Sequence, residues 1–192
     1  MYEYIKGHIE ELTPAYAIVE CNGIGYFLNI SLNTYSKLSG RKEIMLYLHF
    51  IVREDSQIFY GFIDKSEREL FRLLISVSGI GANTARMILS SMTADEVVVA
   101  ISSSNVDALK AVKGIGAKTA QRVIIELKDK ISKESVTEVK LFNDNPYKDE
   151  ASSALVMLGF SKADVNKVVD KISAKNEITS VEALVKLALK QL

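Results

Sequence analysis

The strongest constraint on this chain is a heptapeptide written twice. Gly79-Ile80-Gly81-Ala82-Asn83-Thr84-Ala85 and Gly114-Ile115-Gly116-Ala117-Lys118-Thr119-Ala120 differ at one position, and their first glycines lie 35 residues apart. Each copy follows an apolar run at helical spacing, Leu70 to Val77 and Val106 to Val112. Each is followed by another, Ala85 to Met92 and Ala120 to Ile131. The pattern predicts a helix, a tight turn and a helix, twice over.

The residue types inside the repeat suit one kind of chemistry. Glycine allows backbone angles closed to other residues and lets the backbone come close to a ligand. The isoleucine between the glycines turns inward and anchors the turn. The next helix begins at once, so its unpaired N–H groups and positive dipole end face outward as an anion site. Lys118 adds a point charge, and Thr84 and Thr119 add hydroxyl donors. This resembles the helix-hairpin-helix motif, which grips a DNA phosphate without reading base edges. A single such turn is as readily structural. Two copies with the same tail favour phosphate binding, with Gly79, Ile80, Gly81, Ala82, Asn83 and Thr84 forming one site. Gly114, Ile115, Gly116, Ala117, Lys118 and Thr119 form the other, and Arg122 stands close enough to reach a neighbouring phosphate.

Composition narrows the class. The chain has one cysteine, Cys21, and two histidines, His8 and His49. No internal disulfide and no metal cluster is expected, which suits a reducing, cytoplasmic setting. The first residues lack the basic start and apolar core of a signal peptide, and no apolar run reaches membrane-spanning length. The formal net charge is zero, but it is unevenly spread. Residues 1–64 hold five Lys/Arg against eight Asp/Glu, residues 65–131 hold ten against seven, and residues 132–192 hold nine of each. Any affinity for nucleic acid must come from placed donors and repetition, not from bulk charge.

Taken in order, residues 1–63 read as short strands: Tyr2 to Ile9, Ala15 to Cys21, Tyr26 to Ile30, Ile44 to Phe50 and Gln57 to Phe62. Asn22-Gly23 signals a tight turn between two of them. Five or six strands in so few residues predict a small barrel of OB type. Glu54 and Asp55 fall at the tip of a hairpin, where acids are common in solvated turns. Residues 64–131 are helical, with capping-box patterns at Ser66 to Glu69 and Thr93 to Glu96. Residues 132–146 are polar and end at Pro146, reading as a flexible linker. Residues 147–192 predict three short helices that resemble a ubiquitin-associated-type bundle. The fold class is thus α+β and multidomain: an OB-type barrel, an all-α tandem helix-hairpin-helix region and a three-helix bundle.

That layout, with Val52-Arg53-Glu54-Asp55, Tyr60-Gly61-Phe62 and the two glycine hairpins, resembles the RuvA family along the whole chain. The family's members are bacterial subunits that bind Holliday junctions. The resemblance implies a non-catalytic role in recombination and repair. Four subunits, or eight, would hold a four-way DNA junction open and square, with the hairpins on the phosphates of each arm. Glu54 and Asp55 would be an acidic pin near the crossover. Lys6 and Arg53 are the barrel's candidates for DNA contact. The bundle, through Leu155, Leu158, Phe160 and Val168, would dock on the hexameric ATPase RuvB, with the resolvase RuvC in the same complex. ATP would be used by that motor, and this chain would carry no cofactor. One departure stands out: family members often carry lysine in both hairpins, whereas the first has Asn83.

Two other readings use the same residues. A helix-hairpin-helix glycosylase or nuclease would need a catalytic acid near the second hairpin, and Asp129 qualifies only by position. A pure protein-interaction module would pair the hairpins with protein instead of DNA, and its binding would then not weaken steeply with salt.

Overall fold

The computed structural model describes residues 2–139, 146–173 and 180–192. The chain divides into two compact units, residues 1–134 and 135–192.

The first unit begins with β1 (Tyr4–Leu12), β2 (Tyr16–Cys21), β3 (Ile24–Asn29), α1 (Leu32–Leu38), β4 (Glu43–Val52) and β5 (Gln57–Phe62). The strands close into a barrel in the order β1-β2-β3-β5-β4, sealed by a parallel β3–β5 pair at Leu28↔Phe59 and Asn29↔Tyr60. This is the expected OB-type barrel. Strand alternation explains its core: Ala17 and Val19 of β2, and Ile44, Leu46 and Leu48 of β4, point inward and are buried. Asn22 and Gly23 both take positive φ, as the tight β2–β3 turn requires. Gly7 lies where β1 crosses β2, and a Cβ there would stand 2.0 Å from the Glu20 carbonyl oxygen.

The barrel runs into α2 (Lys65–Ile75), α3 (Ala82–Ser91), α4 (Ala94–Ser102), α5 (Val106–Lys110) and α6 (Ala117–Val139). The 35-residue repeat is visible in their core. Leu74 and Leu109, Val77 and Val112, Ile80 and Ile115, Ala85 and Ala120, and Ile88 and Val123 are all buried. Tyr60 and Phe62 of β5 join the same cluster, so barrel and helices share apolar packing across the boundary expected at 63/64. The capping box at Thr93 and Glu96 is present. The one expected at Ser66 is not: Asp64 occupies the N-cap of α2, Ser66 lies inside the helix, and Glu69 pairs with Arg68 and Arg72 instead. α6 continues to Val139, past the linker start expected at 132, and residues 140–145 of that linker lie outside the described residues.

The second unit contains α7 (Pro146–Met157), α8 (Lys162–Ser173) and α9 (Val181–Ala188), the expected three-helix bundle. Ala151, Leu155, Val165, Val169, Ile172, Leu184 and Ala188 form its core. Gly159, two residues past the end of α7, takes φ +102°, and Ser180 caps α9 by accepting from the Ala183 N–H at 3.2 Å.

Candidate nucleic-acid interface

Both hairpins are built alike. Gly79 and Gly114 adopt φ +93° and +91°, which only glycine takes without strain. The buried isoleucines donate their N–H groups back across the turn, Ile80 to Val77 at 3.0 Å and Ile115 to Val112 at 3.1 Å. Ile80 and Ile115 therefore anchor the turns and offer a ligand neither side chain nor amide. The first intrahelical bonds follow at once, Ala85 to Gly81 and Ala120 to Gly116, both 2.9 Å. The N–H groups of the first helical turn, 82–84 and 117–119, thus have no carbonyl partner within the helix. In α3 the N-cap is Gly81, with no side chain closing that end.

The second glycine of each hairpin is the more telling one. Gly81 has φ −85°, open to any residue, and Gly116 is not among the positive-φ glycines. A Cβ on either would meet nothing within 4 Å. The fold itself does not require glycine there, and its absence of a side chain leaves the backbone at the helix end open to close approach.

Polar side chains around the hairpins are not equally free. Lys118 is exposed. Asn83 accepts from the Tyr60 hydroxyl at 3.3 Å. Arg122, expected to reach a phosphate, donates from Nη1 to the Ser78 carbonyl at 3.1 Å, beside the first hairpin. Thr84 and Thr119 are half-buried. Arg86, not singled out in the sequence, ties α3 to the barrel by donating to the Ala15 carbonyl at 2.8 Å. Nothing in its local pattern marks that role, because its acceptor is 71 residues away.

Glu54 and Asp55 lie exposed in the turn joining β4 to β5, beyond the last paired residues Val52 and Gln57. The turn is closed by Arg53 N–H donating to the Ser56 carbonyl at 2.8 Å, and Ser56 Oγ donates to Asp55 at 3.2 Å. Lys6, at the far end of the barrel, lines a shallow depression with Lys37, Arg41, Glu43 and Asp64. It does not lie with Arg53, which is beside the acidic turn.

In the second unit the expected docking residues separate. Leu155 is fully buried in the bundle core and presents no surface, because the helical stripe that carries it faces α8 and α9. Leu158 is exposed, Phe160 and Val168 are half-buried against the core, and Met157, missed in the sequence, is 89% exposed. Asp129 is exposed on α6 between Lys128 and Lys130. Among the described residues no group of His, Cys, Asp and Glu is arranged to hold a metal, and no helix is long and apolar enough to cross a membrane.

A closed barrel carrying two uncapped glycine hairpins and followed by a helical bundle defines a helix-hairpin-helix protein on an OB-type base. Comparison with known proteins makes this specific. Residues 1–61 match the RuvA N terminal domain, 71–129 the SAM-like helix-hairpin-helix tandem and 148–192 the RuvA C-terminal domain. The Holliday junction branch migration complex subunit RuvA of Christiangramia forsetii is 50% identical over 193 residues, covering all of both chains. Its counterparts in Bacteroides fragilis and Porphyromonas gingivalis are 51% and 44% identical, again over the full length of each. The chain belongs to the RuvA family.

Proposed function

We propose that this chain binds four-way junction DNA by its backbone, holds the junction open, and recruits a motor to it. The observation that carries the reading is the pair of open helix ends, each behind a glycine that the fold does not need. Backbone donors of this kind take phosphates of any sequence. The amides of 81–84 and 116–119, with Lys118, grip the phosphates of a duplex arm. The family relatives are named for the Holliday junction, and a junction's four equal arms suit a tetramer, or two stacked as an octamer. Exposed Tyr4, Ile24 and Phe27 on the barrel supply apolar surface for such self-association.

Glu54 and Asp55 form the acidic pin at the crossover. Two like charges about 4 Å apart repel by roughly 4 kcal/mol at an effective dielectric near 20. That exceeds the ~1.4 kcal/mol of an average base-pair step, so the pin biases strand paths. It supplies no directed work, which falls to the hexameric ATPase RuvB, docked on the bundle near Met157 and Leu158. RuvC shares the assembly. The chain itself is non-catalytic and works in the cytoplasm.

Gel-shift binding to a four-way junction and to a linear duplex of equal length, with excess competitor duplex at two salt concentrations, tests this directly. A salt-sensitive preference for the junction is expected. Equal affinity for both substrates would remove structure-specific recognition.

A further inference from the structure

Positions 35 residues apart occupy matching places in the two repeats, but their polar side chains have diverged. In the first repeat, Asn83 accepts from Tyr60 of β5 at 3.3 Å. Arg86 donates to the Ala15 carbonyl at 2.8 Å and to Asn29 Oδ1 at 3.4 Å. The first hairpin is therefore fastened to the barrel. The matching positions in the second repeat are Lys118 and Gln121, both exposed, and among the described residues neither has a hydrogen bond or ion pair to the barrel.

The second hairpin is fastened to the first. Arg122 Nη1 donates to the Ser78 carbonyl, the group directly before Gly79, at 3.1 Å. Glu126, one turn further along α6, lies 3.9 Å from Arg122 Nε, a loose exposed ion pair. The matching residue in the first repeat is Met87, which has no donor, so this link has no symmetric twin.

We infer that Arg122 is a positioning residue, which sets the second hairpin against the first through the Ser78 carbonyl, and that the two hairpins divide their labour. The first is a neutral amide grip fixed to the barrel, with its Asn83 side chain held by Tyr60. The second carries the exposed charge, Lys118, on a hairpin whose offset Arg122 sets. The offset between the two grips is then set before DNA arrives. This inference rests on the phosphate-gripping function proposed above.

Hydrogen exchange on the DNA-free, full-length protein separates positioning from direct contact. Arg122→Met should speed exchange of the hairpin amides in 79–84 and 114–119 about fivefold, the size expected for loss of one hydrogen bond. Arg122→Lys, which still reaches the Ser78 carbonyl, should stay near wild type in exchange and in junction affinity. A phosphate ligand would leave the free protein unchanged. Unaltered exchange in Arg122→Met, with or without weaker junction binding, therefore overturns the positioning role. The division of labour is read from salt dependence. Lys118→Ala should lower the slope of log affinity on log salt by about 0.9 for each phosphate it no longer neutralises, and Asn83→Ala should leave the slope unchanged. Equal falls in the two variants overturn it. If the wild type shows no junction preference, the underlying function fails, and the exchange result still decides the role of Arg122.

Discussion

Glu67 and Arg68 are adjacent in sequence and both buried, yet each meets a different set of partners. Glu67 accepts from Ser31 Oγ and, at 2.8 Å, from Thr34 Oγ1, tying α2 to the start of α1. Arg68 donates to the Glu3 carbonyl at 2.9 Å, pairs with Glu3 and Glu69, and lies over the Tyr47 ring. Burial pushes the Glu67 carboxyl above the usual carboxylate range, against the pull of the two hydroxyls. The folded chain therefore keeps this proton after the unfolded chain has lost it. Glu67's contribution is fully present below the ordinary carboxylate value and is lost as pH rises to the raised one. Chemical denaturation at a series of pH values should show Glu67→Gln gaining stability relative to wild type as pH rises from the ordinary carboxylate value of about 4, and a flat difference would contradict a carboxyl raised by burial. Gly7 gives a second residue-scale test. Its substitution by alanine would drive a Cβ into the Glu20 carbonyl, so the β1–β2 crossing must shift. The expected cost in a urea titration is about 1–3 kcal/mol.

At the scale of elements, the two glycines of each hairpin should separate fold from function. Gly79→Ala or Gly114→Ala forces an alanine into positive φ and should lower stability by roughly 1 kcal/mol or more. Gly81→Ser and Gly116→Ser place a favoured N-cap residue in an allowed conformation, so melting should hold steady or rise. The serine hydroxyl would nevertheless take the amides meant for phosphate and fill the space of approach. The double variant should lose at least tenfold in junction affinity, and undiminished binding would show that these helix ends do not meet the DNA. The hairpins were legible in the sequence because everything that makes them lies within seven residues and recurs. The barrel was legible because strand alternation and Asn22-Gly23 are equally local. What escaped was set by distant chain. Glu69 looked like half of a helix cap, but Arg68 and Arg72 claim its carboxylate. Asn83 and Arg122 looked free, but Tyr60 and Ser78 hold them. Leu155 shares an apolar run with Leu158, and only packing against α8 and α9 tells the buried one from the exposed one.

For the whole molecule, the division into two units predicts a division of tasks. The hairpins, the acidic turn and the barrel all belong to the first unit, whereas Met157 and Leu158 stand exposed on the second. The surface of a partner-binding bundle concentrates its energy in a few apolar anchors. Leu158→Asp sits outside the bundle core, so it should leave both the fold and the junction affinity within about twofold of wild type. Its effect should fall on the motor, with stimulation of RuvB-driven branch migration reduced by roughly tenfold or more, the scale of one anchor residue. A chain ending at residue 139 should behave the same way, binding junctions but failing to recruit the motor. Adding it in excess should then inhibit migration by the intact protein, because it occupies junctions that it cannot hand on. If the short chain instead supports migration at the normal rate, the motor must bind the first unit. The exposed leucine and methionine of the bundle would then need another partner.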